Sequence, residues 1–361
     1  MLGALASQRI AGRRFVSRRL RRLLLRLRRQ AWPRTIPDAA ARLEARRLNL
    51  ALQGGGAHGA FTWGVLDRLL EERRLTFEAI SGTSAGAINA VLMADGLAEN
   101  GPAGALEKLA RFWSALCGQG GSLEALPGLQ RLHQASLDLI GKFLAPAQFN
   151  PLDLNPMREL LRSLVDFDRL RRAGPALFIA ATDAATGRKR IFTRGEISLD
   201  AVMASACLPQ LHHAVEIDGR QYWDGGYVAN PPLLPLVNPA KAEDTLLVQL
   251  IPLAGRGVPT DHAGISEGLN RIIFNAPLRQ EIATIELMAS RKVAPFVRHR
   301  FHLIDATAAT GALPAGSRLV PDWRMAAKLR LDGRQAADAW LAANLGAIGK
   351  RATADLPAVF L

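Results

Sequence analysis

LNLALQGGGAHGAFTWGVLDRLLEERRLTFEAISGTSAG, residues 48–86, reads as two strand–turn–helix units in succession. Leu48-Asn49-Leu50-Ala51-Leu52 alternates poorly for a half-exposed strand and well for a buried one. A glycine cluster follows, and an apolar helix is predicted from about Ala60 to Leu70. A second apolar strand, Phe77 to Ser81, runs into Gly82, and a second helix is predicted from Ala85 to about Leu97. Strand, glycine turn, helix, strand, sharp turn, helix is a βαβα order. It implies a parallel sheet covered by helices on both faces.

The rest of the chain extends that plan. Helical patterns cover Leu106–Leu116, Leu129–Leu144 and Pro156–Leu170. Strand-like runs return at 176–181 and 190–193, joined by the turn Ala185-Thr186-Gly187. A short helix is predicted at Leu199–Ala206, and a hairpin at Val215–Tyr222 around Asp218-Gly219. Beyond these come a buried strand at Thr245–Ile251, a helix at Ile265–Met288, a strand at Arg300–Ile304 and a helix at Ala336–Lys350.

The chain has 361 residues, 49% hydrophobic and 22% charged, enough for one sizeable core. Its net charge of +14 is unevenly placed. Residues 1–47 hold 14 arginines against Asp38 and Glu44, which is +12, so the other 314 residues carry +2. The basicity belongs to an N-terminal arm, which removes the case for a nucleic-acid partner. Phe15, Leu20, Leu23, Leu24 and Leu27 recur among the arginines as in a basic amphipathic helix, which Pro33 stops. Its longest apolar run is Leu23–Leu25, far short of the roughly 20 residues that span a bilayer. Such a helix suits peripheral contact with an anionic membrane. Cys117 and Cys207 suggest neither a disulfide framework nor a metal site, so a reducing, cytoplasmic setting is expected. Three regions follow: the arm at 1–47, a catalytic core at 48–237, and C-terminal strands and helices at 238–361.

Gly54-Gly55-Gly56-Ala57-His58-Gly59 fits G-x-G-x-x-G between a strand and a helix. A dinucleotide-binding Rossmann site therefore has to be weighed. That site wants an acid at the end of the next strand to hold the ribose. Here the nearest acid, Glu78, sits at the start of that strand, and its end reads Ser81-Gly82-Thr83-Ser84. The other reading is an oxyanion hole, in which successive backbone N–H groups at a helix N-terminus face one developing charge.

Gly82-Thr83-Ser84-Ala85-Gly86 is G-x-S-x-G in the strand-to-helix context of a nucleophile elbow, with Ser84 as the nucleophile. A serine needs a base. His133, His212, His213, His262, His299 and His302 all follow Ser84, and none lies in a base-like motif. Asp224-Gly225-Gly226, at the end of a short strand, stands out instead. An aspartate of ordinary pKa, about 4, is a weak base and needs desolvation or a short hydrogen bond to the serine.

At these residues the sequence resembles the patatin-like phospholipase family. Gly54–Gly59 is similar to that family's glycine-rich oxyanion motif, Gly82–Gly86 to its serine elbow, and Asp224-Gly225-Gly226 to its aspartate motif. Ser205-Ala206-Cys207-Leu208-Pro209 is similar to the segment that precedes the aspartate. The resemblance runs from about Leu48 to Leu236, with the motifs in order. It implies a three-layer α/β/α sandwich with a mainly parallel central sheet. It also implies a Ser84–Asp224 dyad without histidine, an oxyanion hole at Gly54, Gly55 and Gly56, and hydrolysis of lipid acyl esters without metal or cofactor. His58 occupies the loop's basic position, supporting either the loop or the oxyanion, while Gly59, Gly82, Gly86, Gly225 and Gly226 shape the backbone. A thioesterase or a polyester depolymerase could use the same machinery.

Overall fold

The computed structural model describes residues 45–118, 155–237, 242–255, 257–314 and 316–361. The predicted arm, except its last three residues, and the predicted helix Leu129–Leu144 lie outside the described residues.

Residues 45–361 form one compact unit around an eight-stranded sheet. Its strands are β1 (Arg46–Leu52), β2 (Leu75–Gly82), β3 (Ala176–Asp183), β4 (Lys189–Thr193), β5 (Val215–Ile217), β6 (Arg220–Asp224), β7 (Asp244–Gln249) and β8 (Arg300–Asp305). The order of pairing is β5-β6-β3-β2-β1-β7-β8, with β4 also on β3. Strands β3, β2, β1, β7 and β8 are mutually parallel, whereas β4, β5 and β6 are antiparallel additions at one side. The inner strands β1 and β7 are almost wholly buried, as a sheet covered on both faces requires.

Alternation along β1 divides the core. Leu48, Leu50 and Leu52 join the larger apolar cluster, while Ala51 joins the smaller one. The larger cluster packs under helices α1 (Gly59–Glu71), α2 (Ala85–Gly118), α5 (Leu199–Ser205) and α7 (Trp323–Asn344). The smaller one packs under α6 (His262–Ser290) and α8 (Leu356–Phe360). These are the three layers that the resemblance implied. Helices α1 and α7 approach closely, because a Cβ at Gly64 would lie 1.9 Å from the Arg330 carbonyl and one at Gly333 would lie 2.1 Å from the Phe61 carbonyl.

Two expected boundaries need correction. The stretch α2 is not among them: it is two helices meeting at a kink at Asn100 and Gly101, where the glycine takes φ 60°, as the predicted pair Ala85–Leu97 and Leu106–Leu116 required. The expected helix 156–170 is two helices, α3 (Pro156–Leu164) and α4 (Phe167–Arg172). Asp166 accepts from the Arg169 amide and starts α4 afresh. The last long helix begins at Trp323, not Ala336, where the Asp322 carboxylate accepts from the Met325 amide at 2.7 Å. The residues after 237 are also more than a covering layer. Strand β7 pairs directly with β1 and carries β8, so they complete the sheet.

Register at β3 positions the chemistry. Ala176–Ile179 pair with Ala79–Gly82 of β2, and Ala181–Asp183 pair with Asp224–Tyr222 of β6. Strand β4 pairs across Phe178–Thr182 and takes up the other edge throughout. Strands β2 and β6 therefore lie along the same edge of β3 and run head-on toward each other. Gly82 stands opposite Ile179 and Asp224 opposite Ala181, so the ends of the two strands meet two residues apart.

Candidate active site

The chain turns sharply at the end of β2, and Ser84 takes φ 55°. A positive φ at a residue with a Cβ is a stored strain of the kind found at functional turns. The turn is held from both sides. The Gly86 amide donates to the Thr83 carbonyl at 2.8 Å, and the Thr83 hydroxyl donates to the Ala229 carbonyl at 2.7 Å. The Ser84 amide donates to the Ser205 hydroxyl oxygen at 3.0 Å. Gly86 cannot be larger, because its Cβ would lie 2.1 Å from the Leu52 carbonyl. The glycine loop rides directly on this elbow, where a Cβ on Gly54 would come within 2.9 Å of the Ser84 Cβ. Close stacking on a serine is the opposite of the open cradle that a pyrophosphate would need.

Asp224 ends β6 and is buried. Its amide donates to the Cys207 carbonyl at 2.7 Å, and its carbonyl accepts from the Thr182 hydroxyl at 2.7 Å. Its carboxylate accepts from the Gly226 amide at 2.7 Å and shares a hydrogen bond with the Ser84 side chain. Burial raises its pKa to about 7, and the bonds from Gly226 and Ser84 offset only part of that. Gly225 is as confined as Gly86, since a Cβ there would lie 2.2 Å from the Ala180 carbonyl. The aspartate thus has the raised pKa that a general base for serine needs.

The three loop glycines differ. The Gly54 amide is engaged by the Asn230 side-chain oxygen at 2.8 Å, so Gly54 positions the loop and offers no free donor. The amides of Gly55 and Gly56 find no acceptor among the described residues. The expected trio of oxyanion donors narrows to this pair. Gly56 takes φ 57° and lies under the Arg318 carbonyl, which a Cβ would approach to 2.2 Å. His58 bonds Ser317 through its Nε2 at 2.9 Å. Burial, aided by the Arg318 charge, lowers the His58 pKa to about 4, so the ring is neutral at ordinary pH. Its observed contact is to the segment above the loop. Gly59 begins α1 against Ala85, and Gly82 closes β2 against Gly86.

Ser84, Asp224 and Gly54–Gly56 all line one cleft of about 50 Å³, together with Leu208, Asn230, Ile251, Phe274, Arg318 and Leu319. Among the described residues, no histidine lines it. His302 bonds Asp244 and Thr353, His299 bonds Thr245, and His133 lies outside the described residues. Among the described residues, no cluster of His, Cys, Asp and Glu is built to hold a metal ion, and no helix is long and apolar enough to cross a membrane.

Several supports carried no motif. The Gln53 side-chain oxygen accepts from the Leu250 and Ile251 amides at 2.7 and 2.9 Å, and its amide group donates to Asn275 at 3.1 Å. Asn230 holds Gly54 on one side and donates to the Phe274 carbonyl at 3.1 Å on the other. A buried glutamine next to an apolar strand was a readable signal. Phe274, Arg318 and Leu319 gave none, because packing alone brings them to the cleft.

The chain is similar in sequence to known proteins. The chain is 26% identical over 248 residues to uncharacterized NTE family proteins of Mycobacterium tuberculosis and Mycobacterium bovis. That match covers 68% of this chain and 60% of each of theirs, so the chain spans less than two thirds of their length. Among solved structures, VipD from Legionella pneumophila aligns at a TM-score of 0.38 and 14% identity, over 82% of this chain and 67% of that one. The ExoU–SpcU complex from the type III secretion system of Pseudomonas aeruginosa aligns at 0.33 and 18%, over 83% and 52%. A family model for patatin-like phospholipase matches residues 50–237, which include the serine elbow, the glycine loop after β1 and the aspartate of β6. That match covers more than half of the sequence, and the chain belongs to the patatin-like phospholipase family.

Proposed function

We propose that the protein is a lipid acyl hydrolase in which Ser84 and Asp224 act as a catalytic dyad. One observation carries the reading. A strained serine shares a hydrogen bond with a buried aspartate whose pKa burial raises to about 7, inside a cleft edged by two free backbone amides. Asp224 takes the Ser84 proton as Oγ bonds to the ester carbonyl carbon. The carbonyl π electrons move to oxygen, and the Gly55 and Gly56 amides stabilise that charge. When the tetrahedral intermediate collapses, the ester C–O bond breaks and Asp224 returns its proton to the departing alcohol. Water, deprotonated by Asp224, then hydrolyses the acyl-serine and restores both residues.

The test is hydrolysis of a lipid ester panel by purified protein, beside Ser84→Ala and Asp224→Asn. Both variants should be inactive yet folded. Turnover by Ser84→Ala at the wild-type rate would end the proposal.

We also assign the basic arm a recruiting role at anionic membranes, on its charge of +12 over residues 1–47. Deleting residues 1–44 should reduce hydrolysis of lipids in anionic vesicles, increasingly so at low salt, and spare a soluble ester. Equal loss on both substrates would make the arm structural.

A further inference from the structure

Two cavities meet beside the glycine loop. The catalytic cleft shares Gly55, Ile251 and Arg318 with a groove of about 690 Å³. A groove of that size takes a bulky group, whereas the cleft takes little more than the reacting ester. Arg318 stands at the junction. It belongs to a tight turn, Ser317–Leu319, that lies outside the segment matched by the family model.

The charged residues lining the cleft are Asp224 and Arg318. The Arg318 side chain is only 13% exposed, and its ion pair among the described residues is a loose one, 3.3 Å from Glu267 on α6. Glu267 is itself 41% exposed on the groove wall. A guanidinium carries five donors in a planar fork, and among the described residues this contact uses few of them. Arg318 lines both the cleft and the groove, and its charge helps to lower the pKa of His58 in the loop. A half-buried cation at the seam between a nucleophile and a large groove is arranged for an anion on the substrate.

Glycerides and polyesters carry no such anion. A glycerophospholipid carries a phosphodiester a few bonds from each acyl ester, close enough for one end to lie over Ser84 while the other reaches the seam. Building on the lipid acyl hydrolase reading, we infer that Arg318 is a specificity-determining residue. It binds the phosphodiester of a glycerophospholipid, and the rest of the headgroup lies in the adjoining groove. Arginine suits this because its fork matches two phosphate oxygens at once.

The test compares phosphatidylcholine with diacylglycerol of the same acyl chains, each in micelles of a neutral detergent, and reads the ratio of their kcat/KM values. Within one protein sample the folded fraction cancels from that ratio. Wild type should prefer the phospholipid. Arg318→Gln should lower the ratio by about tenfold or more, the range of one charge-assisted hydrogen bond. Arg318→Lys should recover part of it, keeping the charge and losing the fork. A ratio unchanged within about twofold in Arg318→Gln, or a wild type that prefers diacylglycerol, overturns the inference and leaves the hydrolase reading intact. A wild type that hydrolyses neither lipid overturns both.

Discussion

Two buried aspartates sit at opposite ends of the same sheet, and they are treated in opposite ways. Asp224 closes β6 at the end where the parallel strands β1 and β2 finish, and burial drives its pKa up to about 7. Asp244 opens β7 at the other end. Burial pushes it upward too, but bonds from His302, Arg300 and the Gly349 amide outweigh this and hold it near 2. Both are nearly inaccessible, so burial alone does not separate them. Partners do. The saturated acid is a structural joint between β7, β8 and the chain after α7. The acid left with one amide and one serine is poised to move a proton.

The widest separation should appear in turnover. Asp224→Asn should reduce ester hydrolysis by about 10³-fold or more, and Ser84→Ala no less, with the double variant hardly worse than either. Asp244→Asn should leave kcat per folded molecule close to wild type. Comparable loss of kcat in Asp244→Asn would dissolve the contrast. A smaller effect is expected at the loop. Gly56→Val meets the Arg318 carbonyl and a left-handed φ, and should cost about 10²-fold, the scale of one oxyanion donor. Steady-state kinetics on a soluble ester checks both.

Stability should respond in the reverse sense. Removing the Asp244 charge leaves partly buried Arg300 with only Glu243 as an acidic partner and takes one partner from His302, so Asp244→Asn should lose roughly 2 kcal/mol by urea unfolding at neutral pH. Because its folded pKa lies below the unfolded value, the contribution of Asp244 is complete above about pH 4 and disappears as pH falls toward about 2. Asp224 carries the opposite sign. Its folded pKa lies above the unfolded value, so stability declines as pH rises from about 4 to about 7. Asp224→Asn should therefore gain about 1 kcal/mol at pH near 8, the usual size of relief at a strained active site. A loss there would mean that the carboxylate is better satisfied than its contacts indicate.

Legibility in the sequence follows the same divide. The glycines around Ser84 and Asp224 were readable because the backbone packed against them leaves little choice of residue. Gly86 is forced by the Leu52 carbonyl, and Gly225 by the Ala180 carbonyl. Apolar periodicity showed the parallel strands and the helices between them because each must bury apolar side chains in the core. What stayed hidden was carried by generic residues. Nothing in Phe274 or Arg318 marks them as cleft-lining, and the Asp322 cap that starts α7 was one acidic residue among many. The division of 156–170 into two helices also turned on a single cap, Asp166. That Asn230 accepts from the Gly54 amide was equally hidden.

In the proposed dyad Asp224, and no histidine, activates Ser84. The most direct measurement is the rate of covalent labelling of Ser84 by a fluorophosphonate, followed by intact mass from about pH 5 to about pH 9. In the wild type the rate should rise with an apparent pKa close to the value of about 7 that burial imposes on Asp224. In Asp224→Asn that rise should vanish and the rate should stay low throughout. Labelling of Asp224→Asn at the wild-type rate, with the same pH profile, would contradict the account.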